Sequence, residues 1–308
     1  MRYSFGFLVV CALGVVSIGC GGDGGSVDDS VNPSTGCDSG SLDPSVTSVD
    51  ISFDGSSRSY ELHVPASYDG STPTPLTLNF HGVTSDGPAQ RSFSDMDPVA
   101  DARGFVVAYP NGIEKSWNAG ICCGTAASEG IDDVGFARAV IDDLAERGCI
   151  DLNRVYATGM SNGAHLSHRL ACEATDVIAA IAPVAGVPLI TDCNPSRPIA
   201  VMHFHGTDDV IVPYDGSRPG YPSVPDTHDG WAARNGCTDE PIITFDNNTV
   251  TCETYDNCDG GVIVTLCTAK GAGHCWPGQP VCPFGTSTLD ISASEAMTDF
   301  FEDFSLNQ

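Results

Sequence analysis

Two hydrophobic periods share this chain. Val49–Phe53 and Ser59–Val64 alternate apolar and polar residues, which predicts an antiparallel strand pair leading into a domain. Pro75–Phe80 and Gly104–Tyr109 read as further strands, the second stopped by Pro110. Asp132 and Asp133 open a helix in which Val134, Ala137, Val140, Ile141 and Leu144 recur at helical spacing, with Gly148 as its stop. Arg154–Thr158 is a short strand and Asn162–Cys172 a helix. Val177–Val184 and Pro198–His205 are continuous apolar runs, the pattern of buried parallel strands. Val262–Thr268 is a last strand. Ala293–Phe304 closes the chain as a helix with Met297, Phe300, Phe301 and Phe304 on its apolar face. Strands alternating with helices predict an α/β domain over residues 48–308, with a mostly parallel central sheet covered by helices on both faces. In such a sheet, reactive groups gather at the carboxyl ends of the strands.

The first residues follow a different pattern. Arg2, the apolar stretch Phe7–Val16 and the small residues Ser17 and Gly19 predict an export signal over 1–19. That stretch is too short for a membrane span, which needs ~20 residues. Ser17-Ile18-Gly19-Cys20 is similar to a bacterial lipoprotein cleavage box, with Ser17 where Leu is usual, and implies lipid attachment to a membrane through Cys20. Gly, Asp and Ser dominate residues 21–30, so a flexible tether is expected over 20–47. The protein is expected outside the cell or on its surface.

Composition narrows the function classes. Hydrophobic residues at 41% and charged residues at 17% describe a globular chain. The net charge of -27 repels phosphate backbones and argues against nucleic-acid binding. Setting Cys11 and Cys20 aside leaves an even number of the 14 cysteines, which suits disulfides in an oxidising compartment. No C-x-x-C pair occurs, so no metal site is expected. Cys122 and Cys123 are adjacent and are expected to pair with different partners.

Gly159-Met160-Ser161-Asn162-Gly163 is a G-x-S-x-G motif between a predicted strand and a predicted helix. That context makes it a nucleophile elbow, in which a tight turn lifts the Ser161 hydroxyl above the sheet at a helix N-terminus. Serine needs a base to take its proton. In the α/β-hydrolase arrangement the acid and then the histidine follow the serine along the chain. His274 lies on a Gly-flanked loop after the last strand and is the candidate base. His228, in a polar insertion, is expected to face solvent. His81, His165, His168, His203 and His205 read as packing or hydrogen-bonding residues. His205-Gly206-Thr207-Asp208-Asp209 offers two candidate acids, and the residues alone do not choose between them. An oxyanion needs backbone N–H donors, one from Asn162 and the other expected from Val83, with Thr84 next to it.

Several stretches together resemble the feruloyl esterase, acetylxylan esterase and polyhydroxybutyrate depolymerase-like group of α/β hydrolases. They include Asn79–Gly82, Ser116–Gly120 with Cys122–Gly124, Asp132–Phe136, Arg154–Ala164, His205–Pro213, Trp231–Cys237 and Gly273–Gly278, and the resemblance covers roughly residues 50–305. It implies an α/β-hydrolase fold, a Ser161, His274 and Asp209 triad, and hydrolysis through an acyl-enzyme without metal or organic cofactor. The family spacing from the His of the His-Gly pair selects Asp209 over Asp208. The implied substrates are feruloyl or acetyl esters of plant cell-wall polysaccharide, with polyhydroxybutyrate as the alternative. An inactive surface-binding protein is the reading from another class, and the intact Ser161, Asp209 and His274 argue against it. Cys275 stands where the family often has Thr. A local disulfide Cys275–Cys282 is expected to brace the His274 loop, with Cys252–Cys258, Cys172–Cys193 and Cys237–Cys267 as the other expected pairs.

Overall fold

The computed structural model describes residues 31–39, 41–44 and 47–307. The expected signal at 1–19, Cys20 and the tether as far as residue 30 lie outside the described residues.

Ten strands form one sheet among the described residues. They are β1 (Thr47–Phe53), β2 (Ser56–His63), β3 (Thr74–Phe80), β4 (Val106–Pro110), β5 (Ile150–Met160), β6 (Ala180–Val184), β7 (Ala200–Gly206), β8 (Ile242–Asn247), β9 (Val250–Tyr255) and β10 (Val264–Ala269). Their order is β1-β2-β4-β3-β5-β6-β7-β10-β9-β8. The centre from β4 to β10 is parallel, and an antiparallel pair extends each end. β4 and β6 are buried along their whole length, as their apolar runs require once helices cover both faces. At one edge, Phe53 pairs with Ser56 across Asp54-Gly55, both at positive φ, a two-residue turn of the kind that suits a twisted hairpin.

The helices are α1 (Gly36–Ser39), α2 (Gly87–Ser94), α3 (Asp97–Arg103), α4 (Gly124–Glu129), α5 (Asp133–Arg147), α6 (Asn162–Glu173), α7 (Val224–Arg234) and α8 (Ala293–Glu302). The Asp132 side chain accepts from the Gly135 N–H and caps α5, whose apolar positions from Val134 to Leu144 are buried. α6 is buried on nearly every side. α8 lies on the other face of the sheet, where Phe301 stacks on Tyr156 with ring centroids 4.5 Å apart. The predicted strand Val177–Val184 begins only at Ala180, because Val177 and Ile178 turn back onto Ala174 through their N–H groups.

Residues 31–39 and 41–44, expected as tether, are instead tied to the domain. Pro33 bridges to Asp151, Ser34 Oγ donates to the Gly148 carbonyl at 2.7 Å, Leu42 is buried, and Cys37 is bonded to Cys149.

Two expected disulfides are present, Cys172–Cys193 and Cys275–Cys282. Two are exchanged. Cys252 bonds Cys267 rather than Cys258, and Cys237 bonds Cys258 rather than Cys267. Cross-strand register is the reason: Cys252 and Cys267 stand directly opposite each other on β9 and β10, within reach of one bond. Cys122 and Cys123 bond each other, contrary to the expectation of separate partners.

Candidate active site

β5 runs directly into Ser161, and α6 starts at Asn162. Ser161 has φ 57° and ψ −116°, a conformation that a non-glycine residue keeps only when its surroundings impose it. The Ser161 N–H donates to the Val184 carbonyl at 2.9 Å, and the Ser161 carbonyl accepts from His165 N–H at 2.9 Å. At Gly159 and Gly163 a side chain would strike the Phe80 carbonyl, so only glycine lets β3 approach the turn this closely. The strand-turn-helix expected for G-x-S-x-G is therefore present at the carboxyl end of β5.

The loop after β7 carries the candidate acid and the loop after β10 carries the candidate base. His274 Nδ1 lies 2.7 Å from Asp209 Oδ2. Asp209 Oδ1 accepts the N–H groups of Ile211 and Val212, both at 2.8 Å. Burial pushes the Asp209 carboxyl up, but hydrogen bonds from His205 and His274 outweigh it and hold the group well below the usual carboxylate range. An ionised Asp209 only accepts, so Nδ1 of His274 carries the hydrogen and Nε2 is left as the basic nitrogen. Asp208 is exposed and takes a bond from the Thr207 hydroxyl. The structure thus brings Asp209 and not Asp208 to His274. The His274 loop is held by its own N–H on the Phe284 carbonyl, 2.9 Å away.

Asn162 opens α6, so its N–H has no acceptor one turn back and points out of the helix end. Val83 follows β3 in the loop that faces the elbow. The neighbouring Thr84 N–H is engaged by the Lys115 carbonyl at 2.8 Å, which removes it as a donor. A chain of bonds fixes this loop. Gly112 N–H donates to His81 Nε2 at 3.0 Å, so His81 Nδ1 carries the hydrogen toward the Gly82 carbonyl at 2.7 Å. Burial lowers the His81 pKa to about 4 and keeps the ring neutral. Trp117 Nε1 donates to the His81 carbonyl at 2.9 Å. The Trp117 loop is anchored in turn by Asp133, which accepts from Asn118 N–H at 2.7 Å and pairs with the buried Arg58 at 2.9 Å.

Ser161 stands where two clefts meet. One, of about 500 Å³, is mostly apolar and is lined by His274, Met160, Phe93, Ile211, Pro283 and Phe284. The other, of about 460 Å³, holds Cys122, Cys123, His165, Arg218 and Tyr221. The Arg218 guanidinium lies 4.6 Å from the Tyr221 ring centroid. Neither Arg218 nor Phe284 carries a motif signal, and sequence reading missed both. His228, expected in solvent, is buried: α7 packs against β10, and His228 Nε2 lies 3.1 Å from the Val264 carbonyl. His165 and His168 are buried and hydrogen-bonded to the carbonyls of Val187 and Gly186.

Residues 58–225 match the model of the family described as Esterase PHB depolymerase. That segment holds Val83, Ser161, Asn162 and Asp209 and ends before His274. The chain is 37% identical over 217 residues to feruloyl esterase B of Piromyces equi, covering 65% of this chain and 39% of that protein. It is 31% identical over 252 residues to the putative esterase NocK of Nocardia uniformis subsp. tsuyamanensis, covering 73% of each. Among solved structures, an acetyl xylan esterase from Aspergillus awamori superposes with a TM-score of 0.60 at 16% identity, over 83% of this chain and 99% of that one. This last likeness establishes the fold, that of the α/β hydrolases.

Proposed function

The chain belongs to the family described as Esterase PHB depolymerase, and on that premise we propose that it is a serine carboxylic-ester hydrolase acting on acyl esters of plant cell-wall polysaccharide. The observation that carries this reading is the 2.7 Å contact between His274 and Asp209, with His274 and Ser161 lining one cleft. Ser161 Oγ attacks the ester carbonyl while His274 Nε2 takes its proton. Asp209 stabilises the imidazolium, and the N–H groups of Val83 and Asn162 receive the oxyanion. His274 then protonates the leaving alcohol, and water repeats the cycle on the acyl-enzyme. Because His274 must reach the leaving oxygen, the alcohol lies on the His274 side, and the acyl group enters the cleft with Tyr221 and Arg218. A cleft of that size suits an aromatic acyl group such as feruloyl better than acetyl, which would leave most of it unfilled.

A second reading, polyhydroxybutyrate hydrolysis, is favoured by one observation. Ile121, Val210, Val281 and Phe284 are large apolar residues exposed on the loops that carry the site, which suits a flat polyester surface. Purified protein tested on methyl ferulate, acetylated xylan and polyhydroxybutyrate separates the readings. Turnover of methyl ferulate above the other two supports the first, and turnover of the polyester alone replaces it with the second. Export with lipidation at Cys20 belongs to the same proposal. Mass spectrometry of the mature N-terminus from the native host tests it, and an unmodified N-terminus downstream of Cys20 would indicate free secretion.

A further inference from the structure

His274 is not the sole histidine on Asp209. His205, at the end of β7, places Nε2 2.8 Å from the Val212 carbonyl and 3.4 Å from Asp209 Oδ2. A carbonyl oxygen only accepts, so Nε2 carries the hydrogen and, in a neutral ring, Nδ1 carries a lone pair. His203 is two residues back, on the same face of the strand. Its Nε2 lies 3.1 Å from His205 Nδ1 and must therefore be the donor. That leaves His203 Nδ1 bare, and this buried atom has no hydrogen-bond partner among the described residues. One carbonyl thus fixes the tautomers of two rings, and neither ring takes part in the hydrolytic cycle above.

The arrangement closes around the carboxylate. Val212 N–H donates to Asp209 Oδ1, while the Val212 carbonyl receives the His205 N–H, which also faces Oδ2. Both carboxylate oxygens are held from one frame. A second proton on His205 would spoil it, because a cation this close to Asp209 would compete with the His274 imidazolium for its charge. The site open to that proton is Nδ1, and the His203 N–H occupies it. The other titratable groups around His205 are themselves uncharged, so they add no negative charge that would draw a proton to it. His165 and His168 on α6 are lowered to about 3 by burial, burial also takes His203 well below its usual value, and Tyr214 is raised by burial.

We propose that His205 is a positioning residue for Asp209, and that His203 holds it in the neutral, Nε2-protonated tautomer so that the charge of Asp209 is left to His274. The proposal rests on the serine-hydrolase reading. Nitrogen NMR of the whole protein with labelled histidine reads the tautomers directly. At neutral pH both His203 and His205 are expected to carry a single hydrogen, on Nε2. A His205 that is doubly protonated at neutral pH, or carries its hydrogen on Nδ1, overturns the proposal. Kinetics gives a second readout. His203→Leu removes the N–H donor and opens His205 to protonation, so the acid limb of kcat/KM is expected to move up by about one pH unit with little change in KM. His203→Gln keeps an N–H donor and is expected to restore the limb. A His203→Leu limb that superimposes on the wild type also overturns the proposal. Ser161→Ala run alongside separates the two levels. Full activity in that variant removes the serine-hydrolase reading, whereas its loss beside an unmoved His203→Leu limb removes only the role of His203 and His205.

Discussion

Asn162 grips the backbone of Trp117 with both ends of its side-chain amide: Oδ1 accepts from Trp117 N–H at 2.8 Å, and Nδ2 donates to the Trp117 carbonyl at 3.0 Å. Both residues are buried. The residue that opens the helix behind Ser161 therefore also holds the loop whose indole supports His81 and, through it, the Gly82–Val83 backbone.

Asn162→Ala keeps the backbone N–H but leaves the buried Trp117 N–H unpaired and its carbonyl with only the Cys123 N–H. Unfolding free energy is expected to fall by roughly 1–3 kcal/mol. Activity is expected to fall by roughly 10-fold to 100-fold as the oxyanion loop loses its register. Urea unfolding and kcat measure the two. Unchanged stability would mean that the pair carries no load.

Asp209→Asn and Asp208→Asn separate the neighbouring acids. The first is expected to lower kcat about 10⁴-fold, because an amide at this position favours the wrong tautomer of His274. The second removes an exposed group and should stay within a few-fold of the wild type. A reversed order of losses would move the acid to Asp208.

The turn at Ser161, its flanking glycines and the strand and helix around it were legible because the elbow is local: five consecutive residues carry the motif. That Asp209 rather than Asp208 meets His274 was legible only through the family spacing. What the sequence could not show was decided across the sheet. Cys252 meets Cys267 because β9 and β10 pair in that register. His228 is buried because a helix folds its polar-looking segment onto β10. The tether composition continued past residue 30, yet Cys149, 112 residues further along than Cys37, holds that stretch to the domain. Patterns of neighbours along the chain carry no trace of such partners.

Acid should destabilise the fold well before the carboxylates titrate. Burial lowers His81 to about 4, and His165 and His168 to about 3. Below about pH 6.5 the unfolded chain binds protons that these folded rings refuse, so stability rises with pH through this window and is lost on acidification. Each ring contributes a slope of up to about 1.4 kcal/mol per pH unit. The low pKa of Asp209 acts in the same direction, but only below about pH 4. Urea unfolding at pH 7 and pH 5 checks this, and equal stabilities would contradict the buried neutral histidines.

The disulfides should divide between stability and activity. Cys37–Cys149 spans 112 residues and Cys275–Cys282 spans 7. Chain entropy makes the first worth about twice the second. Replacing Cys37 and Cys149 with Ser should lower Tm more, and replacing Cys275 and Cys282 should lower kcat more, since that bond closes the loop beside His274. Full activity in the second double variant would remove its bracing role.

Ester hydrolysis by Ser161→Ala is the most direct test of the hydrolase reading. Turnover of the best substrate is expected to fall by roughly 10⁴-fold to 10⁶-fold, with the Tm and circular dichroism of a folded domain retained. Near-normal turnover in a folded Ser161→Ala protein would contradict the nucleophile assignment and the mechanism built on it.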